Sequence, residues 1–363
     1  MSRITSGTIT AFYLFDVGDV IALSAVAERF GVTTTSRFAF KQPSPAYVQY
    51  RESPVIVDGS AIGIGAVGGY AVRVKAFDYG VVSVALTRGM PAEWDVLLGQ
   101  GATLYEDAEL PGAAQRVCRA FVERIAPAVT HLRADVLTED YFVFAVSRLD
   151  TEMDAAAVLA NHGDVIAQLL RGEHERLSEQ ERAEVLRHSI SYLASDLVVP
   201  TWNGAFVYDS EAGVHGALEI LEFANSQLLQ FRYYDALLDR ELEGIYAQLQ
   251  KPFWVQNWFG RGYSRAARYV HALFIDVNEL TDRTENALKI AGDIYAARLI
   301  ALTGARLGLD HWKATVEDKL ETLDDIYRFA VEQMAMIRGE LMEFAIVLIL
   351  VLELGMILAG VMR

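Results

Sequence analysis

Residues 70–86 read Tyr-Ala-Val-Arg-Val-Lys-Ala-Phe-Asp-Tyr-Gly-Val-Val-Ser-Val-Ala-Leu. Valines alternate with Arg73 and Lys75, break at the turn signal ending in Gly80, and recur beyond it, which predicts two neighbouring β-branched strands. Upstream, Val55-Ile-Val-Asp-Gly followed by Ile62-Gly-Ile-Gly is hairpin-like, because an Asp-Gly pair supplies the left-handed conformations that a tight turn requires. Ile9 to Phe15 predicts an apolar opening strand, and Val17 to Phe30 has helical spacing. Downstream, Ala113 to Ile125 reads as helix and Tyr141-Phe-Val-Phe-Ala-Val as a further strand. Strands follow one another closely and few helices intervene, so residues 1–150 are expected to form a mixed α/β head rather than a doubly wound sheet.

After about Asp150 the pattern turns helical, giving an α+β chain overall. Asp154 to Leu170 and Ser178 to Asp196 are helical candidates, the second opening on Ser178-Glu-Gln-Glu with capping-box spacing. Val198-Val-Pro-Thr-Trp-Asn-Gly reads as an irregular connection. Three apolar series at three–four spacing follow, through Leu221, Leu228, Phe231, Leu238, Leu242, Ile245 and Leu249, then Leu273, Val277, Leu280, Leu288, Ala291, Ile294 and Leu302, then Val316, Leu320, Leu323, Ile326, Met334, Ile337 and Leu341. They predict a long-helix bundle or coiled coil over residues 151–343. The third helix meets no breaker after Asp310, a plausible N-cap, and Gly339 is its soft point.

Residues 344–362 read FAIVLILVLELGMILAGVM, apolar or glycine at every position except Glu353. At ~1.5 Å per residue such a helix spans roughly 28 Å, close to a ~30 Å hydrocarbon core, so the stretch is expected to be one transmembrane helix. Glu353 then sits where a charge costs on the order of 2.5–3.5 kcal/mol. With Gly355 and Ala359, spaced four apart for close helix approach, it forms a site for interhelical association or for an ion path.

The chain has 363 residues, a hydrophobic fraction of 52% and a mean hydropathy of +0.20. The opening stretch shows neither a signal-peptide h-region nor an Arg-rich transit pattern, so the body is expected to stay where it is made. One cysteine, Cys118, excludes an internal disulfide and suits a reducing compartment. A net charge of −16 disfavours direct nucleic-acid binding. The exception is local: between Gly244 and Ile275 no acidic residue occurs, while Lys251, Arg261, Arg265 and Arg268 stand among Trp254, Trp258 and other aromatics. That strip reads as a helix-to-helix turn with a subunit contact, as a headgroup contact, or as an RNA contact.

Chemistry-bearing motifs are sparse. Gly63-Ile-Gly65-Ala-Val-Gly68 matches a dinucleotide fingerprint in letters, but a β-type run follows it where a helix should receive the pyrophosphate. No Walker loop, HExxH, paired-Cys spacing or Gly-x-Ser-x-Gly occurs, and the seven histidines lack ligand spacing. Asp16 and Asp19 around Gly18, and Asp150, Glu152 and Asp154, fit turns or caps better than cation sites. No nucleophile, base and orienter stand together, so neither catalytic activity, a cofactor nor a metal is expected.

From about Ala11 to Gly360 the order of segments resembles the required for meiotic nuclear division (RMD/RMND) family. The resemblance rests on Tyr13-Leu-Phe-Asp-Val-Gly-Asp-Val, Phe77-Asp-Tyr-Gly-Val-Val-Ser-Val, Asn225-Ser-Gln-Leu-Leu-Gln-Phe-Arg-Tyr-Tyr-Asp, Asp276-Val-Asn-Glu-Leu-Thr-Asp-Arg-Thr-Glu-Asn-Ala-Leu-Lys and Leu323-Asp-Asp-Ile-Tyr-Arg-Phe. It implies a membrane-anchored, self-associating protein without catalytic residues, linked in mitochondrial relatives to translation at the inner membrane. Lack of a mitochondrial targeting segment suggests a bacterial member.

The expected function is therefore a membrane-anchored, homo-oligomeric scaffold or interaction protein. Its body would lie in the cytoplasm and its single, tail-anchored span in a bacterial inner membrane. Its partners would be its own copies, the lipid bilayer and a ribosome or membrane protein. The alternative is an oligomeric ion channel or transporter with Glu353 along a central path.

Overall fold

The computed structural model describes residues 2–32, 53–249, 272–282 and 294–358. It divides into two compact units, the first of residues 1–233 and 282–312, the second of residues 234–281 and 313–363. The first is built on a sheet whose strands are β1 (Ile4–Asp16), β3 (Val55–Asp58), β4 (Ala66–Val67), β5 (Tyr70–Ala76), β6 (Val81–Gly89), β8 (Thr138–Leu149), β9 (Leu197–Pro200) and β10 (Gly204–Tyr208). Their order is β3-β5-β6-β1-β8-β10-β9, with β4 paired to β5. All pairs are antiparallel except β8 with β10, so the sheet is mixed, as the closely spaced strand signals require. The short β2 (Val20–Ile21) and β7 (Val129–Thr130) form a separate ribbon. The predicted irregular connection at Val198 is in fact β9 and β10, the two strands that finish the sheet.

Alternation assigns each strand residue to a face. Ile9, Ala11, Tyr13, Val72, Val74, Val82, Val84, Phe142, Phe144 and Phe206 belong to the main apolar core. That core also contains the apolar faces of α1 (Leu23–Phe30), α2 (Trp94–Tyr105), α3 (Glu109–Ile125), α4 (Ala155–Arg171) and α5 (Glu179–Arg187). The helix starts follow local chemistry. Asp154 accepts from the Ala157 amide at 2.7 Å and Ser178 from the Glu181 amide at 3.1 Å, which satisfies donors that a helix N-terminus leaves open. The Gly63-x-Gly65 run lies between a 3₁₀ turn, Gly59–Ile62, and strand β4, and Gly63, Gly68 and Gly69 have φ of 82°, 56° and 83°. These glycines serve left-handed turns between strands, and no helix starts after them.

The opposite sheet face carries Phe12, Leu14, Lys75, Phe77, Ser83, Tyr141 and Val143, all buried. It is joined through Lys75 and Tyr79 to the long helix α6 (Glu211–Leu249). In the second unit Leu238, Ile245, Leu273, Val277, Leu280, Val316, Leu320 and Leu323 are buried. Lys319 there lies 2.6 Å from Asp235 and 2.7 Å from Asp239. The second apolar series does not run on as one seam. Ile294 is 74% exposed, and the helix Ile294–Leu307 instead buries Ala296, Leu299, Ile300 and Leu307.

The terminal helix Leu309–Leu358 is continuous for 50 residues, through Gly339. Asp310 lies within its first turn rather than capping it. The transmembrane expectation is corrected: among the described residues no helix is long and apolar enough to cross a membrane. Phe344 to Leu358, the described part of the apolar run, covers only ~22 Å at ~1.5 Å per residue, against a ~30 Å hydrocarbon core. The single-pass, tail-anchored, inner-membrane placement falls with it. So does the bilayer-spanning premise of the ion path.

Candidate functional site

Two features stand out for function, and the first is the terminal helix. Eleven large apolar residues between Met342 and Met356 are 39–68% exposed, and they point to every side of the helix. Glu353 and Gly355, expected as an association site, are also exposed, and a Cβ added at Gly355 would meet nothing within 4 Å. Ala359, the third residue of that site, lies outside the described residues, as do Lys251, Trp254, Trp258, Arg261, Arg265 and Arg268 of the basic-aromatic strip. Exposed apolar surface of this extent in one contiguous run is the signature of an interaction surface rather than of scattered surface hydrophobes.

The second feature is a polar stripe along α6 in the first unit. Glu219, Glu222, Ser226 and Gln230 follow helical spacing and are all buried. Lys75 lies 2.7 Å from Glu219 and contacts Glu222 directly, so one ammonium meets two carboxylates inside the protein. Burial disfavours the ionised Glu222, but Lys75 and Arg73 outweigh it and hold the carboxyl below its ordinary range. One helical turn on, Ser226 is 2.6 Å from the Tyr79 hydroxyl. One turn further, Gln230 donates to Asp16 Oδ1 at 3.3 Å.

Asp16 closes β1 and is fully buried. Arg133 donates to its Oδ1 and to the Gly18 carbonyl, reaches Asp19 at 2.8 Å, and lies 3.7 Å from the centre of the Tyr233 ring. His131 Nδ1 is 2.7 Å from Asp19 Oδ2, and His131 has φ 49°, the only positive φ outside glycine among the described residues. Burial pushes the Asp16 carboxyl up to about 7, against the lowering pull of Arg133 and Gln230 and with a smaller raising contribution from Asp19. The turn is compact because Gly80, with φ 81°, lies against the Gly18 carbonyl where a Cβ would collide.

Asp16 and Asp19 were legible as a turn pair, and the structure makes them a turn pair bound to Arg133. Lys75 and the stripe of α6 were not singled out. The available signal was Lys75 on the same strand face as Arg73, alternating with Val72 and Val74, together with glutamates three apart on a helix otherwise rich in apolar residues. Among the described residues no group of three His, Cys, Asp or Glu side chains is placed to hold a metal ion. Cys118 is buried, and burial pushes its thiol up to about 12, so it carries no thiolate chemistry near neutrality.

A family model described as the N-terminal domain of uncharacterized protein MJ0711 matches residues 6–215. The chain belongs to this family. The match spans β1 from Ser6 on, the strands β2–β10, the helices α1–α5 and the start of α6. Uncharacterized protein MJ0711 of Methanocaldococcus jannaschii is 26% identical over 231 residues, covering 63% of this chain and 68% of that protein. No solved structure matches. These findings replace the resemblance to the RMD/RMND family, which rested on the order of short segments rather than on a shared motif. Nothing in them supports the expected bacterial origin, since the relative is archaeal.

Proposed function

We propose that the protein is a homo-oligomeric scaffold or interaction protein whose copies associate through the terminal helix. The observation that carries this reading is the contiguous apolar run from Phe344 to Met356, exposed on all sides of one helix. A helix apolar around its whole circumference is at home only when covered. A second copy supplies a matching apolar helix, and association of like surfaces about a symmetry axis is the common route to closed oligomers. The same helix already has an internal apolar series, Val316, Leu320 and Leu323, so the second unit reads as a long-helix bundle that identical helices extend. No nucleophile–base–orienter set accompanies the polar clusters, which favours an interaction role over catalysis.

The test is sedimentation of the full chain beside a chain ending at Glu343 and a Leu348→Glu variant. The full chain is expected to form a discrete oligomer at micromolar concentration. The truncated chain is expected to be monomeric with its unfolding transition kept, and Leu348→Glu to dissociate at least tenfold more readily. A full chain that stays monomeric, or a truncated chain with an unchanged oligomer, overturns the reading.

A further inference from the structure

We propose that Asp16, Arg133 and Gln230 form a proton-operated clamp that fixes α6 and the segment 129–137 to the end of β1. Three elements that are distant in sequence meet at one carboxylate. Asp16 Oδ1 receives both Arg133 and Gln230, and the Asp16 amide donates to Leu137 at 3.1 Å while the Arg133 amide donates to Val17 at 3.0 Å. Arg133 then covers the ring of Tyr233, the residue after which α6 leaves the first unit. The cluster thus holds the last turn of α6 in that unit and the 129–137 segment at Arg133 and Leu137.

The other carboxylate oxygen is what makes the clamp responsive. Asp16 Oδ2 is buried and meets no donor among the described residues. An ionised carboxylate would therefore keep half its charge uncompensated inside the protein, and a proton on Oδ2 removes that cost. The surrounding ionisable groups are Asp19 of the turn, His131 and Arg133 of the 129–137 segment, Glu139 of β8, and Arg232 and Tyr233 of α6. Tyr79 of the β5–β6 turn is tied to Ser226. Arg133 is shared between two aspartates, Arg232 is paired with Glu139, and His131 is 81% exposed beside Asp19, so among the described residues no second cation is committed to Asp16.

The sign follows from linkage. A carboxyl whose pKa is raised to about 7 in the closed cluster binds its proton more tightly there than in an opened, hydrated one near 3.8. Closure is therefore favoured below neutrality and weakens as pH rises through about 7. Between 3.8 and about 7 the opening constant is expected to rise about tenfold per pH unit, and above about 7, where both forms are ionised, to level off. The clamp is a conformational control and includes no covalent step.

Hydrogen exchange of the full chain from about pH 5 to about pH 8, corrected for intrinsic exchange, tests this. Protection of amides at 130–137 and 226–233 is expected to fall as pH rises to about 7 and to level off above it, while the amides of β5 and β6 stay unchanged. Asp16→Asn should remove the dependence and keep the segments protected, and His131→Asn should leave it intact. Dependence that survives Asp16→Asn, or disappears in His131→Asn, overturns the proposal. Should Asp16→Asn fail to fold, difference infrared spectroscopy of the parent protein decides. A carboxylic-acid carbonyl titrating near pH 7 is expected, and its absence overturns the proposal.

Discussion

At the scale of single residues, Lys75 is the position where chemistry and burial are most opposed. A buried ammonium is tolerated because Glu219 and Glu222 surround it, and each carboxylate is tolerated because of the lysine. Removing only Lys75 leaves two buried carboxylates without their cation. Lys75→Met is therefore expected to destabilise the protein by ~3–5 kcal/mol in urea unfolding, whereas combining it with Glu219→Leu and Glu222→Leu should recover most of that loss. A triple variant no better than the single one would show that the ion cluster, rather than its volume, holds α6 in place. His162 offers a second test, this one in pH. It is buried, 2.9 Å from the Ser2 hydroxyl and stacked 4.1 Å from the centre of Trp94. Burial, with a smaller push from the N-terminal charge, lowers its pKa below 6.5. The unfolded chain then takes up the proton more readily, so this contribution is present above pH 6.5 and is lost as pH falls below it. Against His162→Asn, the parent should lose relative stability on acidification at up to ~1.4 kcal/mol per pH unit. A difference that stays flat from neutral pH downward would place the titration elsewhere.

At the scale of elements, what was legible in the sequence was whatever local pattern decides. Alternation in residues 70–86 produced β5 and β6, and Ser178 opened α5, because two-residue periodicity and an N-cap each act within a few residues. The cap contributions are testable: Ser178→Ala and Asp154→Ala should each cost ~1 kcal/mol, and Asp154→Asn considerably less, since an amide oxygen still accepts the Ala157 amide. Equal losses for Asp154→Ala and Asp154→Asn would assign the effect to charge rather than to capping. What was not legible needed distant partners. Val198 to Tyr208 reads as a loop by composition, and becomes β9 and β10 only because β8 offers an open edge for parallel pairing. Asp16 reads as a turn residue, and its partner Arg133 lies 117 positions away. Lys75 reads as the polar half of an alternating strand, and only a helix beginning at Glu211 turns that half inward. The apolar terminal run is legible as helix, and as far as Leu358 it is helix. Its length and purpose were the parts that local pattern could not decide.

At the scale of the whole molecule, the apolar terminal helix and the net charge of −16 act against each other. Apolar burial draws copies together, and it gains little from added salt at moderate concentrations. Charge repulsion between acidic copies opposes assembly, and it is screened over ~30 Å at about 0.01 M salt but over only ~10 Å at about 0.1 M. If the terminal helix drives assembly, the oligomer should strengthen as ionic strength rises across that range, measured as a falling dissociation constant in sedimentation equilibrium. The opposite trend would mean that attractive ion pairs dominate the contact. That outcome would move the association from the apolar helix to the basic stretch between Lys251 and Arg268 meeting an acidic face of another copy. Glu353 gives the same discrimination at one position: if copies of the helix approach one another there, Glu353→Gln removes a like charge from the contact. It should then tighten assembly at low salt and do less as salt is added. A Glu353→Gln effect that does not depend on salt would indicate that the carboxylates of neighbouring copies do not approach, and that the helix associates by another of its faces.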